Sequence, residues 1–284
     1  MLSTPLKRRV SRKARRVTKT VRQRLSNLGV AEQAARALFV FGSQRSGTRL
    51  PIEVMERTPY IQTYPEGHSR AFNGVLLKDL GSLMGLLRQS PFPIIAFKPI
   101  CESHRALELL EDFPDSKALW IFRDYQAAVH SAAEKWGHGR NNLTALASGM
   151  WNGDDWRAGG MTPEKLELVR DHYHEDMSTH AAHALMWYLR NLLFFDLGLH
   201  QDPRVLLIKY EDLVTTPDQH FERVFRFLSC PFEARFVAGV YSTSARKKRV
   251  LEMPDTIESL CVEVSQRLEQ SYADSFEHYA KRGR

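Results

Sequence analysis

The most constraining feature of this sequence is a glycine-containing loop between a short apolar run and a predicted helix. The run is Ala37–Phe41, and the loop is Gly42-Ser-Gln-Arg-Ser-Gly-Thr48. A short apolar run that ends at a glycine is typical of a buried parallel strand, and we predict a helix from Ser46 to about Glu56. Backbone N–H groups at such a strand–loop–helix turn point towards an anion. The sequence therefore predicts a phosphate-binding loop here.

The loop has the glycine spacing of the ATP-binding loop GxxxxGK[ST] but lacks two of its functional residues. Thr48 stands where that loop has its lysine, and Arg49 stands where it has the Ser or Thr that binds Mg²⁺. No aspartate ends an apolar strand as a clear second metal ligand, which phosphoryl transfer on this loop requires. Arg45 supplies a cation inside the loop instead, and such a cation stabilises charge on a leaving oxygen. The alternative is an ordinary turn with a solvent-facing arginine.

Further apolar runs and helical patterns follow the loop. The runs cover residues 60–64, 94–97, 118–122 and 205–208. The helical patterns cover residues 103–112, 125–135, 180–197 and 217–228. Strands that alternate with helices predict an α/β fold, here a P-loop-like parallel sheet flanked by helices on both faces. Active sites of such sheets lie at the carboxyl ends of the strands.

The chain divides into a basic N-terminal arm, residues 1–30, and a single domain, residues 31–284. Residues 1–31 hold ten of the 40 Lys and Arg residues and none of the 33 Asp and Glu residues, so the remainder has a net charge of −3. This mildly acidic body does not favour specific nucleic-acid binding. The arm is either an amphipathic helix on an anionic membrane surface or acidic partner, or a solvated tail. A glycine-rich stretch, residues 137–179, breaks the alternation of strands and helices and is interpreted as an insertion or lid.

The cysteines and histidines form no recognisable metal motif. The three cysteines, Cys101, Cys230 and Cys261, are an odd count without CxxC spacing. This predicts free thiols in a reducing compartment, the cytoplasm. Four histidines, at positions 172, 174, 180 and 183, lie close together in the sequence but match no fixed ligand spacing. We therefore expect no metal ion.

A second candidate anion site lies at the end of the apolar run 118–122. Arg123 follows this predicted strand directly, and Ser131 lies slightly more than two turns into the next predicted helix. An arginine offers a planar fork of donors and a serine offers a hydroxyl. The two residues can therefore bind one phosphate together, although each residue type is common at such a position.

Three segments, in order, resemble motifs of the sulfotransferases that use 3′-phosphoadenosine 5′-phosphosulfate (PAPS). The loop Gly42–Thr48 resembles the family's 5′-phosphosulfate loop, PRSGT or PKxGT, and Arg123 to Ser131 resembles its 3′-phosphate motif, RxPxxxxxS. Residues 205–213, which end in YEDL, are similar to a third family segment. The resemblance spans about residues 37–230 and is closest to carbohydrate-type and bacterial members. It implies a sulfotransferase fold, PAPS as sulfuryl donor, 3′-phosphoadenosine 5′-phosphate (PAP) as product, and no metal.

The resemblance also implies roles for individual residues. Arg45 is expected to contact the sulfuryl and 5′-phosphate oxygens, and Arg123 and Ser131 to hold the 3′-phosphate. A late basic segment of the family reaches the 3′-phosphate too, which here points to Arg246 or Lys247, with a solvated loop as the alternative. The predicted cofactor-binding residues are Ser43, Gln44, Arg45, Ser46, Gly47, Thr48, Arg49, Arg123, Ser131, Arg246 and Lys247. Tyr210 and Glu211 are expected to brace the sheet and loop.

The residue at the position of the general base differs from that of aryl and alcohol sulfotransferases. Their Lys-Thr-His strand end reads Lys98-Pro-Ile100 here, so the histidine base is missing. Carbohydrate sulfotransferases have a glutamate after the second strand, and Glu66 resembles it in position. We predict Glu66 as the base, with His68 as the alternative because a histidine titrates near neutral pH.

Other departures leave the anion donors in place. Gln44 and Tyr125 stand where the two anion motifs have prolines, and Arg49 stands where the first motif has Thr or Ser. The sequence predicts an enzyme that transfers a sulfuryl group from PAPS to a hydroxyl of a carbohydrate or small-molecule alcohol, in line and with a carboxylate base. The candidate catalytic residues are Arg45, Glu66 and His68. The alternatives are a P-loop nucleotide-dependent kinase and a non-enzymatic protein that binds an anion or a membrane.

Overall fold

The computed structural model describes residues 34–137, 140–150, 155–240 and 251–282. The predicted basic arm and the candidate residues Arg246 and Lys247 lie outside these ranges. Within them, no helix combines the length and the apolar character that crossing a membrane requires.

A five-stranded parallel sheet forms the centre of the protein. The seven strands of the described chain are β1 (Arg36–Gly42), β2 (Ile61–Pro65), β3 (Phe72–Asn73), β4 (Leu76–Leu77), β5 (Ile94–Lys98), β6 (Lys117–Phe122) and β7 (Val205–Lys209). The main sheet has the order β2-β5-β1-β6-β7, and all its pairs are parallel. Strands β3 and β4 form a separate antiparallel hairpin. The predicted parallel sheet is confirmed, with all five predicted strands in place.

Helices connect the strands. They are α1 (Arg49–Met55), α2 (Leu80–Arg88), α3 (Ala106–Asp112), α4 (Tyr125–Trp136), α5 (Arg140–Ser148), α6 (Pro163–His172), α7 (Thr179–Asp196), α8 (Tyr210–Thr215), α9 (Pro217–Phe227) and α10 (Asp255–Arg282). Three short 3₁₀ segments cover Ile100–Arg105, Leu199–Gln201 and Ala234–Phe236. Helices α5 and α6 lie within the predicted insertion.

Alternation along the strands buries both faces of the sheet. In β1, Phe39 and Phe41 lie in one buried cluster, which Trp120 of β6 and residues of α4, α7 and α10 complete. Leu38 and Val40 lie in a second cluster, together with residues of α1 and α9. Successive side chains of a strand point to opposite faces, so a continuous apolar run is what a sheet covered on both faces requires. The prediction of helices on both faces is thereby confirmed.

Helix α1 begins later than predicted. It starts at Arg49, whereas the sequence pattern predicts a start at Ser46. The intervening loop contains two residues with positive φ, Arg45 at 66° and Gly47 at 81°. Left-handed backbone does not continue a right-handed helix, so residues 43–48 remain a turn.

Helix α4 starts directly after the strand end that carries Arg123. Asp124 caps the helix, because its Oδ1 accepts a hydrogen bond from the Ala127 N–H at 2.8 Å. The buried residues Ala128, Val129 and Ala132 fix the rotation of the helix against its neighbours. The cap and this buried face together place Ser131 at the carboxyl edge of the sheet, where the loop after β1 also lies.

Candidate active site

The loop after β1 is a compact turn with buried hydroxyls. The side chains of Ser43, Ser46 and Thr48 are buried. Ser43 Oγ and Ser46 Oγ lie 2.6 Å apart, and the Ser46 N–H donates to the Ser43 carbonyl at 3.3 Å. These bonds hold the loop closed on itself, so its shape is set before any ligand arrives.

Two glycines allow the loop to pack closely against its neighbours. A Cβ at Gly42 would overlap the backbone carbonyl of Ile121 in β6, and a Cβ at Gly47 would overlap the ring of Tyr210. Both glycines have positive φ, a region that glycine enters without steric cost. The loop is therefore wedged between β6 and the residue that follows β7.

Arg45 reaches from the loop to helix α4. Its Nε and one terminal nitrogen donate to Ser131 Oγ at 3.1 and 2.8 Å. Its guanidinium carbon lies 5.8 Å from the ring centre of Trp136, in cation–π geometry. The structure therefore brings the cation of the first predicted motif into direct contact with the hydroxyl of the second.

Arg123 lies beneath this pair and is 9% exposed. It donates to the backbone carbonyl of Arg45 at 3.2 Å, and its guanidinium carbon lies 4.8 Å from the ring centre of Tyr210. Its Nε lies 3.9 Å from Glu211 Oε1, which also accepts from the Asp124 N–H at 3.3 Å. Burial raises the pKa of Glu211. Tyr210 and Glu211 thus hold Arg123 in place, which fits the bracing role predicted for them.

Glu66 follows β2 and is held through both carboxylate oxygens. Lys98 Nζ, at the end of β5, donates to Oε2 at 3.0 Å. The backbone N–H of Cys101 donates to Oε1 at 3.1 Å. Both donors come from the end of β5 and the 3₁₀ segment after it. The carboxylate is therefore fixed at the carboxyl edge of the sheet, beside the neighbouring strand.

The thiol of Cys101 is buried near the Glu66 carboxylate, a placement that the sequence did not reveal. Burial, reinforced by the negative charge of Glu66, raises the pKa of this thiol to about 12. The Cys101 thiol is therefore neutral at physiological pH. Since a lone cysteine carries no spacing signal, only the fold reveals its position.

His68 contacts residues of its own turn. Its ring packs edge-on against Tyr64, with ring centres 4.7 Å apart, and its Nδ1 accepts from the Arg70 N–H at 3.3 Å. Glu66 contacts the segment 100–105, whose Ser103 hydrogen-bonds the loop.

Arg49, another predicted cofactor-binding residue, forms its hydrogen bond along helix α1. Arg49 donates to Glu53 along α1 at 2.7 Å, and its side chain is 71% exposed. Ser103, which was not predicted, hydrogen-bonds the loop instead: its Oγ donates to the Gly42 carbonyl at 3.2 Å. A serine that bonds to backbone leaves no pattern in the sequence.

Three of the four histidines in residues 172–183 contact different groups. His172 Nδ1 lies 2.9 Å from the Leu168 carbonyl, and His180 Nδ1 accepts from the Glu252 N–H at 3.3 Å. His183 is buried beside Trp136, with ring centres 6.1 Å apart. In the part of the chain that the structure describes, no three His, Cys, Asp or Glu residues are grouped so as to hold a metal ion.

The fold defines a P-loop-like α/β protein, and comparison with known proteins narrows this class. The model described as "Sulfotransferase family" matches residues 101–234, which include Arg123, Ser131 and Tyr210. The sulfotransferase domain from the Synechococcus PCC 7002 olefin synthase is similar over 84% of this chain and 96% of that chain, with 14% identity and a TM-score of 0.53. The sulfotransferase domain from the curacin biosynthetic pathway is similar over 85% and 98%, with 18% identity and a TM-score of 0.50. No curated protein matches significantly.

The family match and the shared fold agree with each other. The family model matches just under half of the chain, residues 101–234, and the predicted fold class is that of the similar solved structures. The family match begins after the loop 42–48, so the geometry described above is the independent evidence for that loop.

Proposed function

We propose that this protein transfers a sulfuryl group from PAPS to an acceptor hydroxyl. The observation that carries the proposal is the convergence of Arg45, Arg123 and Ser131 at one edge of the sheet. Two guanidinium groups and a hydroxyl suit a ligand with several negatively charged oxygens. The buried loop hydroxyls of Ser46 and Thr48 add uncharged donors.

We assign the two ends of PAPS to the two motifs, following the family resemblance. Residues 43–48 would hold the 5′-phosphosulfate, while Arg123 and Ser131 would hold the 3′-phosphate. When bound, PAPS supplies an activated sulfuryl group whose sulfur–oxygen bond to the 5′-phosphate breaks as the acceptor oxygen bonds to sulfur. Arg45 stabilises the charge that develops on the departing phosphate oxygen.

Glu66 is the group that takes the acceptor proton. Its carboxylate is held by Lys98 and by the Cys101 N–H, so its position is fixed with respect to the sheet edge. A base must be within hydrogen-bond reach of the proton that it removes. The segment 100–105 holds Glu66 through the Cys101 N–H and is bonded to the loop through Ser103. The proton passes from the acceptor hydroxyl to a carboxylate oxygen of Glu66.

The acceptor is a hydroxyl of a carbohydrate or a small-molecule alcohol. A glutamate base after the second strand supports the carbohydrate class by resemblance. The insertion, residues 137–179, supplies the acceptor side, since its turn 155–160 packs against the segment that holds Glu66.

Binding and turnover of the full chain test the proposal. Calorimetric titration should show PAP binding without added metal. A panel of sugars and alcohols, incubated with PAPS, should include an acceptor that drives PAP release. ATP turnover that requires Mg²⁺, with no binding of PAP, would instead establish the kinase alternative. Binding of PAP with no transfer to any acceptor would point to the non-enzymatic alternative.

A further inference from the structure

Arg190 is a buried cation that the proposed reaction does not use. It lies on α7 and is 1% exposed. Among the described residues, no carboxylate forms an ion pair with it. Burial lowers the pKa of its guanidinium to about 10, so the group remains charged at neutral pH. A buried charge without an opposite charge is costly, which indicates that the guanidinium has a task an apolar side chain could not perform.

The guanidinium connects two separate segments through their backbone carbonyls. One terminal nitrogen donates to Ile100 and Cys101 at 3.3 and 3.1 Å. The other lies 3.4 Å from the carbonyls of Trp156 and Gly159. The first segment follows β5, and the second is the turn 155–160 of the insertion. Arginine can bridge them because its planar fork presents donors in two directions.

The turn 155–160 has further contacts that make its docking specific. A Cβ at Gly159 would overlap the ring of His104, and the Trp156 ring centre lies 5.5 Å from the Arg190 guanidinium carbon. Arg157 donates to Asn142 Oδ1 at 2.8 Å, which ties the turn to α5. The insertion thus contacts the 3₁₀ segment 100–105 through close backbone packing around Arg190.

A single residue, Cys101, connects Arg190 to Glu66, the candidate base. The Cys101 carbonyl accepts from Arg190, while the Cys101 N–H donates to Glu66 Oε1 at 3.1 Å. Any shift of residues 100–101 therefore moves a donor that fixes the Glu66 carboxylate.

We propose that Arg190 is a positioning residue that clamps the insertion turn 155–160 onto residues 100–101 and thereby aims Glu66 at the acceptor. The proposal rests on the proposed function for the role of Glu66, but the clamp itself is a property of the folded chain. The docked insertion and the aimed base are then one unit, so the acceptor side is complete only when both are in place.

Two substitutions in the full chain test the clamp without any turnover. Arg190→Met removes the charge and all donors, and Arg190→Lys keeps the charge but loses the fork. Hydrogen exchange followed by mass spectrometry should be faster in both variants at residues 100–101 and 155–160, and unchanged at residues 43–48. A matched control is Arg204→Met. Arg204 lies just before β7 and also donates to a backbone carbonyl, that of Leu110, at 2.7 Å. Unchanged exchange at both segments in the Arg190 variants would overturn the clamp.

Kinetics test the connection to Glu66. We expect kcat to fall by about 100-fold in Arg190→Met, the loss typical of a small misplacement of a reacting group, with the KM for PAPS unchanged. In a Glu66→Asp background, which keeps a carboxylate but misplaces it, the Arg190 substitution should add little further loss, since both changes act through the placement of one group. Losses that multiply would show that Arg190 acts on the fold in general and would overturn the positioning role. If Arg190→Met does not fold, Arg190→Lys carries the same comparison, with a smaller expected loss.

The two proposals fail in different ways. A wild-type chain that transfers no sulfuryl group but shows the predicted exchange pattern would refute the proposed function and keep the clamp. A wild-type chain that transfers sulfuryl, with Arg190 variants of normal kcat and normal exchange, would refute the clamp alone.

Discussion

Arg45 and Ser131 lie 86 residues apart in the chain and are joined by two hydrogen bonds from one guanidinium, at 3.1 and 2.8 Å. The family resemblance assigns these residues to opposite ends of PAPS, the sulfuryl end and the 3′-phosphate. In the folded chain they form one group of donors. We therefore expect a ligand at the proposed 3′-phosphate position to change the orientation of Arg45.

Ser131→Ala should weaken binding of PAP by roughly ten- to 100-fold, since a hydrogen bond to a charged group contributes about 1.5–3 kcal/mol. Adenosine 5′-phosphate, which lacks the 3′-phosphate, should lose less affinity than PAP, because only the support of Arg45 changes at its site. Isothermal titration calorimetry measures both affinities. Ser148→Ala, which removes a hydroxyl bonded to the Thr144 carbonyl on α5, is the control. Equal loss for both nucleotides would mean that Ser131 does not contact the 3′-phosphate.

Arg45→Ala should lower kcat strongly, because a donor aimed at developing charge typically contributes about 3 kcal/mol to the transition state. The matched control is Arg226→Ala, which removes another exposed arginine, paired with Glu222 on α9. Steady-state rates of PAP release distinguish the two variants. Normal turnover in Arg45→Ala would exclude the proposed role of this cation.

Glu66→Gln should abolish turnover while PAP affinity is retained, because the amide preserves the shape of the side chain but does not accept the proton. His68→Gln is the comparison, since His68 contacts its own turn at Tyr64 and Arg70, and it should keep its activity. Single-turnover rates and calorimetry on both variants decide between the two bases. The opposite pattern, an active Glu66→Gln and an inactive His68→Gln, would transfer the role to His68.

The sheet and the loop were predictable because their signals are local. Each strand is a short apolar run, and the loop is marked by Gly42 and Gly47. The contact between Arg45 and Ser131 was not predictable, since it depends on a left-handed residue at 45 and on the rotation of α4. Arg190 was also not predicted as functional, because its bonds to backbone carbonyls leave no trace in the sequence.

The sequence of helix α10 carries a helical periodicity that the predicted helices do not include. Its buried residues recur three or four positions apart: Ile257, Cys261, Val264, Leu268 and Tyr272. That spacing is typical of one buried helical face, but charged residues surround it throughout. The hairpin of β3 and β4, by contrast, is too short to carry a periodic pattern.

Gly47→Ala should destabilise the protein and weaken PAP binding. At φ 81° an L-residue costs about 1–2 kcal/mol, and the new Cβ would overlap the Tyr210 ring. Gly239→Ala is a matched control, because Gly239 has φ 77° and no atom lies within 4 Å of the added Cβ. Chemical denaturation should therefore show a larger loss for Gly47→Ala. Equal losses would mean that the loop moves freely away from Tyr210.

His183 should make the protein less stable as the pH falls. Burial, with a smaller contribution from His180, lowers its pKa to about 4 from a usual value of 6.5. Between these two values the unfolded chain binds a proton that the folded chain does not, so the free energy of unfolding decreases as the pH falls from above 6.5 towards 4. His104 adds to the same trend, since burial, followed by Arg190 and Arg105, lowers its pKa to about 4.

His183→Gln should therefore flatten part of this pH dependence and leave the part due to His104. Urea denaturation between pH 8 and pH 5, compared with the exposed-histidine control His174→Gln, measures the change in slope. A wild-type slope in His183→Gln would show that the buried imidazole is protonated as readily in the folded chain as in the unfolded one. Water would then reach His183 between α4 and α7, and Trp136 would not shield it.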